Sequence, residues 1–295
     1  MANSTLVDAN ALVERRLSEL LKNIEQIMQA DCLTYVGDII LGVDGFIRDG
    51  LEGLTSKKSK LLFILETPGG YAETAARIAD ILRHHYEIVE FLVPSHAMSA
   101  GTILVMSGDA IHMDYYSTLG PIDPQIPSPD GQMMIPALGY LIRYENLLAK
   151  GEEGELTTAE MAVLLNFDQG QLYWFSQARD LSVSLLREWL VKYKFKNWKQ
   201  TETGQKSVTE EMKQDRASDI AKKLNDVQHW NSHGRGISMD RLRRELNLKI
   251  DDFGEHDELN KAIREYHTLL IDYMTKMRQF RALHTRERYL GLRAD

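Results

Sequence analysis

The chain has 295 residues, 43% of them hydrophobic and 26% charged, with a formal net charge of −8. That is enough apolar material for a large α/β domain with extensions, and the single cysteine, Cys32, excludes an intramolecular disulfide framework. The acidic balance argues against general affinity for nucleic acid or for an anionic membrane surface.

The opening residues, MANSTLVDANALVERRL, break every apolar run with charge. They predict neither a secretion signal nor a membrane span, and point to the cytoplasm. Leu17, Leu20, Leu21, Ile24 and Ile27 recur at helical spacing and predict an amphipathic helix within residues 7–28. A strand is expected at 33–36 and a short helix at 43–51. The run LLFIL at 61–65 has the continuous apolar character of a strand buried on both faces of a parallel sheet. It ends in Thr67-Pro68-Gly69-Gly70, after which Ile78, Ile81 and Leu82 carry a helical pattern. Residues 88–93 read as the next buried strand, 100–106 as a small-residue helix and 110–113 as a third strand. Such repeated strand–loop–helix units predict parallel β-structure built from right-handed crossovers.

From Tyr140 onward the pattern is mostly helical. Thr157–Glu160 and Ser207–Glu210 have the form of capping boxes, residues 194–205 that of an exposed loop, and 259–292 that of one long amphipathic helix. The expected organisation is an N-terminal helix (1–30), an α/β catalytic domain (31–200) and a helical C-terminal region (201–295).

Two glycine-bearing segments fall at the ends of successive predicted strands, where ligands of parallel sheets gather. Paired glycines at 69 and 70 free the backbone to turn its amides toward a ligand. In His96-Ala97-Met98-Ser99-Ala100-Gly101-Thr102, a serine stands at a strand-to-helix turn among small residues. Together they make the halves of an acyl-transfer site, with a nucleophile from one loop and oxyanion donors from both.

Residues 61–124 resemble the serine dehydrogenase proteinase family, relatives of Clp protease and signal peptide peptidase A. The matching segments are LETPGG at 65–70, YAETAARIADILR at 71–83, PSHAMSAGT at 94–102 and STLGPIDPQ at 117–125, with WNSHGRGI at 230–237 similar to a late motif. The resemblance covers roughly residues 31–250 and implies a Clp/crotonase fold, a parallel sheet flanked by helices. It also implies a serine endopeptidase that acts on peptides or unfolded protein and assembles into homo-oligomers. Carried over residue by residue, Ser99 is the nucleophile, Gly70 and Ala100 supply oxyanion amides, and Gly69 shapes their loop. The Gly70–Ser99 spacing is similar to that in Clp protease.

The base is less evident. Clp protease has a histidine after its third strand, where this chain reads Gly120-Pro121-Ile122-Asp123-Pro124. Signal peptide peptidase A uses a downstream lysine, which implies a Ser-Lys dyad with Lys150, the one lysine between Ser99 and Lys192. The other reading of Lys150, just before Gly151, is a cation at a helix C-terminus. His96 and His112 are fallback bases. His96 and Asp123 are expected to line the site, Asp123 either as an orienting group or as a turn residue. His229 and His233 lack the partners of a metal site, and Arg235 reads as a structural contact. The aromatic cluster 172–175 is expected in the core. No metal and no cofactor is expected. The competing functions are a crotonase-like acyl-CoA enzyme and an inactive peptide-binding scaffold.

Overall fold

The computed structural model describes residues 8–127, 134–201 and 204–293. The continuous apolar runs become strands, and the runs with helical spacing become the helices that cover them. In chain order the first half holds α1 (Ala9–Met28), β1 (Asp31–Val36), α2 (Val43–Glu52), β2 (Lys60–Glu66), α3 (Ala72–His85), β3 (Ile88–Leu92) and β4 (His96–Ala97). It continues with α4 (Ala100–Val105), β5 (Ala110–Met113), β6 (Thr118–Leu119), β7 (Gln125–Pro127) and β8 (Met134–Pro136). The second half holds α5 (Ala137–Glu152), α6 (Thr158–Leu165), α7 (Gln169–Trp189), α8 (Glu210–Leu224), α9 (Val227–Trp230) and β9 (Ile237–Ser238). It closes with α10 (Met239–Leu246), β10 (Asp251–Asp252), α11 (Asp257–Lys276), β11 (Gln279–Thr285) and β12 (Tyr289–Arg293).

The main sheet has seven strands in the order β10-β5-β3-β2-β1-β11-β12. The first five are mutually parallel, and β11 and β12 are antiparallel additions at one edge. This is the α/β architecture that the sequence predicts. Alternate residues of the strands face opposite layers. Leu61, Phe63, Leu65, Val89 and Phe91 join the core under α2, α3, α4, α7, α8 and α10. Leu62, Ile64 and Leu92 join a second core under α1 and α11. Cys32 lies buried in that second layer, where burial pushes its thiol pKa up and makes it a poor nucleophile.

The region 201–295, expected to be helical, also contributes strands to the sheets. The helix expected over 259–292 stops at Lys276; Arg278 takes φ 54, and the chain returns as β11 against β1. Leu283 and Ala282 then enter the cores on opposite faces of the sheet. Pairing with a buried strand outweighs helical periodicity there, because β11 buries both of its faces. The expected cap at Ser207 is displaced as well: the Thr209 side chain accepts from the Met212 amide and opens α8. The box at Thr157–Glu160 forms as expected at the start of α6.

Two smaller structures leave the main sheet. β4, β6 and β9 make a three-stranded sheet beside its carboxyl edge. Helices α5 and α7 build a separate small core from Ala137, Leu138, Leu141, Leu172 and Phe175. Of the expected core cluster 172–175, Leu172 and Phe175 are buried, whereas Tyr173 and Trp174 are exposed.

Candidate active site

The loop after β2 and the loop after β4 are stitched together at the carboxyl edge of the sheet. The Thr67 amide donates to the His96 carbonyl and the Met98 amide donates to the Thr67 carbonyl, both at 3.0 Å. The buried Thr67 hydroxyl accepts from the Gly69 amide at 3.0 Å, which turns the chain. Gly69 has φ +108, and a methyl group there would sit 2.8 Å from Ser99 Cβ and 3.4 Å from the Ala100 nitrogen. Only glycine allows so close an approach of the two loops.

Ser99 stands between β4 and α4 with φ 52 and ψ −117. This is not the left-handed helical well that Gln29, with φ 50 and ψ 39, occupies. It is a sparsely populated region that costs a serine about 1–3 kcal/mol. Strand-to-helix turns that raise a nucleophile above a sheet have this strained character. The turn is tight because its neighbours are small: Gly101 lies against the Thr67 methyl, leaving no room for a side chain. The Ser99 side chain is half-buried and caps no helix amide.

The two expected oxyanion donors, Gly70 and Ala100, follow Gly69 and Ser99 on the two stitched loops. Ile39 bridges the first loop by accepting from the Tyr71 amide and donating to the Gly69 carbonyl, each at 2.8 Å. That bridge uses the polar groups of Ile39 and leaves those of Gly70 idle. A methyl group at Gly70, where φ is +149, would overlap the Ile39 carbonyl. Ala100 is the first residue of α4, where an amide has no acceptor within the helix. Among the described residues, neither the Gly70 nor the Ala100 amide donates to another backbone carbonyl.

A third loop is tied in by Thr102. Its buried hydroxyl donates to the Ala97 carbonyl at 2.8 Å and contacts both the carbonyl and the amide of Gly120, at 3.0 and 2.9 Å. Gly120 in turn packs on Met98. Beyond it, Asp123 is not a solvent-facing turn residue: its side chain is fully buried. One carboxylate oxygen accepts from His233 Nδ1 at 2.8 Å and the other from Gln125 Nε2 at 2.6 Å. His233 keeps about a fifth of its side chain exposed. The sequence marks this histidine only as a weak metal ligand; the signal that finds it is the late WNSHGRGI motif.

The remaining candidates are engaged by other partners. His96 Nδ1 turns to the Ser95 hydroxyl at 3.1 Å and lies 3.8 Å from Glu66, a carboxylate that also bonds His267 of α11. His112 sits on β5 and bonds Glu90 at 3.0 Å. Lys150 is in the last turn of α5 and is half-exposed; its Nζ donates to Glu160 Oε1 at 2.6 Å. That bond, with those from Thr157, draws the Glu160 carboxyl down to about 2. The Ala137 amide fastens the start of α5 to the Pro124 carbonyl at 2.9 Å, and Lys150 stands about 20 Å along the helix from it at 1.5 Å per residue. His229 bonds Glu245 at 2.9 Å, and the Arg235 guanidinium donates to the Trp230 carbonyl at 3.3 Å. Among the described residues, no three His, Cys, Asp or Glu side chains are grouped to hold a metal ion. No helix among them is long and apolar enough to cross a membrane.

Comparison with known proteins agrees with the motif reading. Residues 52–145 match the model of the ClpP-like SDH-type serine proteinase family, a stretch that contains Gly69, Gly70, Ser99, Ala100 and Asp123. An uncharacterized protein of Methanocaldococcus jannaschii is 33% identical over 106 residues, which is 36% of this chain and 35% of the relative. A second uncharacterized protein of that organism is 32% identical over 116 residues, 39% of this chain and 36% of the relative. The chain thus spans about a third of the length of these relatives.

Proposed function

We propose that this chain, which is similar to ClpP-like SDH-type serine proteinases over residues 52–145, is a serine endopeptidase that cleaves peptides or unfolded proteins through an acyl-enzyme on Ser99. The observation that carries this reading is the strained Ser99 turn beside two amides, Gly70 and Ala100, that have no backbone acceptor among the described residues. Backbone strain held at one residue by the surrounding structure is a mark of functional sites. Two amides beside a nucleophile supply the electrostatic stabilisation that an oxyanion requires.

Assembly into a homo-oligomer is part of the proposal. Met161 and Leu165 of α6 and Tyr173 and Trp174 of α7 support it, since they leave large apolar side chains exposed on adjoining helices. Action in the cytoplasm is the other part, supported by the lone, buried Cys32. A Ser-Lys dyad would need Lys150 to leave Glu160 and reach Ser99 from the far end of α5, so it is the weaker choice of base.

A fluorophosphonate probe tests the central claim. It should attach to the peptide containing Ser99, and Ser99→Ala should abolish both the label and cleavage of a denatured protein substrate. A folded wild-type protein that takes no label at Ser99 would overturn the reading.

A further inference from the structure

The small sheet of β4, β6 and β9 brings together segments far apart in sequence. β4 runs parallel to β6, with His96 opposite Thr118 and Ala97 opposite Leu119. β9 runs antiparallel to β6, with Ser238 opposite Thr118 and Ile237 opposite Leu119. The end of β4, the end of β6 and the start of β9 therefore meet at one end of this sheet. Ser99 follows β4, Asp123 follows β6 and His233 precedes β9 at that shared end. Neighbouring strands lie about 4.8 Å apart, so the outer two are separated by about 10 Å, a gap that side chains reaching inward from both sides can close.

We propose that His233, oriented by Asp123, is the general base that activates Ser99. The inference rests on the acyl-enzyme reading above and adds the residue that reading lacks. With Nδ1 donating to the buried Asp123 carboxylate at 2.8 Å, the neutral ring keeps Nε2 as its acceptor. A nucleophile, a base and a third group that orients the base are the parts that serine catalysis requires. The turn that carries His233 is firmly held. Trp230 is fully buried and its indole nitrogen donates to the Lys223 carbonyl at 2.6 Å; the Arg235 amide closes the turn on the Ser232 carbonyl at 3.2 Å. On the far side Gly236 packs against Thr118 of β6. Gln125 is bonded to Asp123, and Arg235, two residues on from His233, is turned to the Trp230 carbonyl.

In the first step the Ser99 hydroxyl proton passes to His233 Nε2 as Oγ bonds to the scissile carbonyl carbon. The carbonyl electron pair moves to oxygen, held by the Gly70 and Ala100 amides. Collapse breaks the C–N bond, and the proton on Nε2 leaves with the amine. Water then attacks the ester, gives its proton to Nε2 and releases the carboxylic acid, and that proton returns to Ser99.

The experiment is the rate of fluorophosphonate attachment to the full chain, followed by intact mass between pH 5 and 9. The wild-type rate should rise with pH, with an inflection where the general base loses its proton. His233→Ala should slow labelling by about 100-fold or more at neutral pH and remove that inflection. Asp123→Asn should slow it by a similar or larger factor, because the amide favours the wrong tautomer. A folded His233→Ala protein labelled at the wild-type rate would overturn the assignment while leaving Ser99 as nucleophile. So would a wild-type rate that does not change between pH 5 and 9, a result that needs no variant to fold. A wild type unlabelled at Ser99 would remove the acyl-enzyme reading, and this inference with it.

Discussion

At the carboxyl edge of the sheet, Ser99 holds a strained backbone, Gly70 and Ala100 lack backbone acceptors among the described residues, and the imidazole of His233 is partly open to solvent. Beneath α1 and α11 the same kinds of group are closed on one another. Arg286 donates to Glu25 at 3.0 Å and to Asp31 at 2.7 Å; Asp31 also accepts from the Lys58 amide and the Tyr86 hydroxyl, at 2.7 and 2.9 Å. Nearby, the Tyr266 hydroxyl bridges Thr34 and His284, each at 2.8 Å. Polar groups bonded among themselves stabilise and specify the fold; groups held in place without partners are what a substrate meets. Activity and stability should therefore separate cleanly between the two regions.

The largest separation is expected at Ser99→Gly. Labelling and peptide cleavage should fall by at least about 10^4-fold. Yet glycine relieves the backbone strain, so the thermal midpoint should rise by a few degrees, equivalent to about 1 kcal/mol after glycine's own entropy cost. A midpoint lowered by this change would show that the turn is not strained. In the other region Arg286→Met should do the reverse. It leaves Asp31 and Glu25 buried with less compensation and should cost about 3–5 kcal/mol in urea unfolding. The labelling rate of the folded protein should stay within about twofold of wild type.

His284 sharpens the contrast through pH. Burial holds its pKa at about 3, so the folded protein keeps the ring neutral. Below pH 6.5 the unfolded chain takes up a proton that the folded state refuses, and stability falls as the pH drops toward 3. The loss from this group is about 3 kcal/mol by pH 4.5. Thermal midpoints of His284→Gln should be flatter with pH than those of wild type over that window; parallel curves would contradict the assignment. The smallest effect is expected at Lys150→Gln, a surface ion-pair partner, which should change the labelling rate by less than about twofold. A loss of 100-fold or more there would restore the lysine as the base.

Much of the fold and half of the site were legible in the residue order because they depend on neighbours in the chain. The run at 61–65 had to be a buried strand, the paired glycines at 69 and 70 had to turn, and Ser99 among small residues had to sit at a strand-to-helix junction. The end of the last helix was not legible, since its outcome depended on whether β1 had room for another partner. Nor was the role of Thr102, whose hydroxyl looks unremarkable until Ala97 and Gly120 are brought to it.

Local sequence alone determined the Ser99 turn, because a backbone conformation answers to the side chains within a few residues of it. Which ionisable group keeps company with that turn was decided only by tertiary structure. Lys150 is nearer to Ser99 in the chain than His233 is, but an α-helix carries it away from Pro124. His233 is returned to the neighbourhood of Asp123 by the antiparallel pairing of β9 with β6. Strand register acts across any length of chain, and neither composition nor spacing encodes it residue by residue.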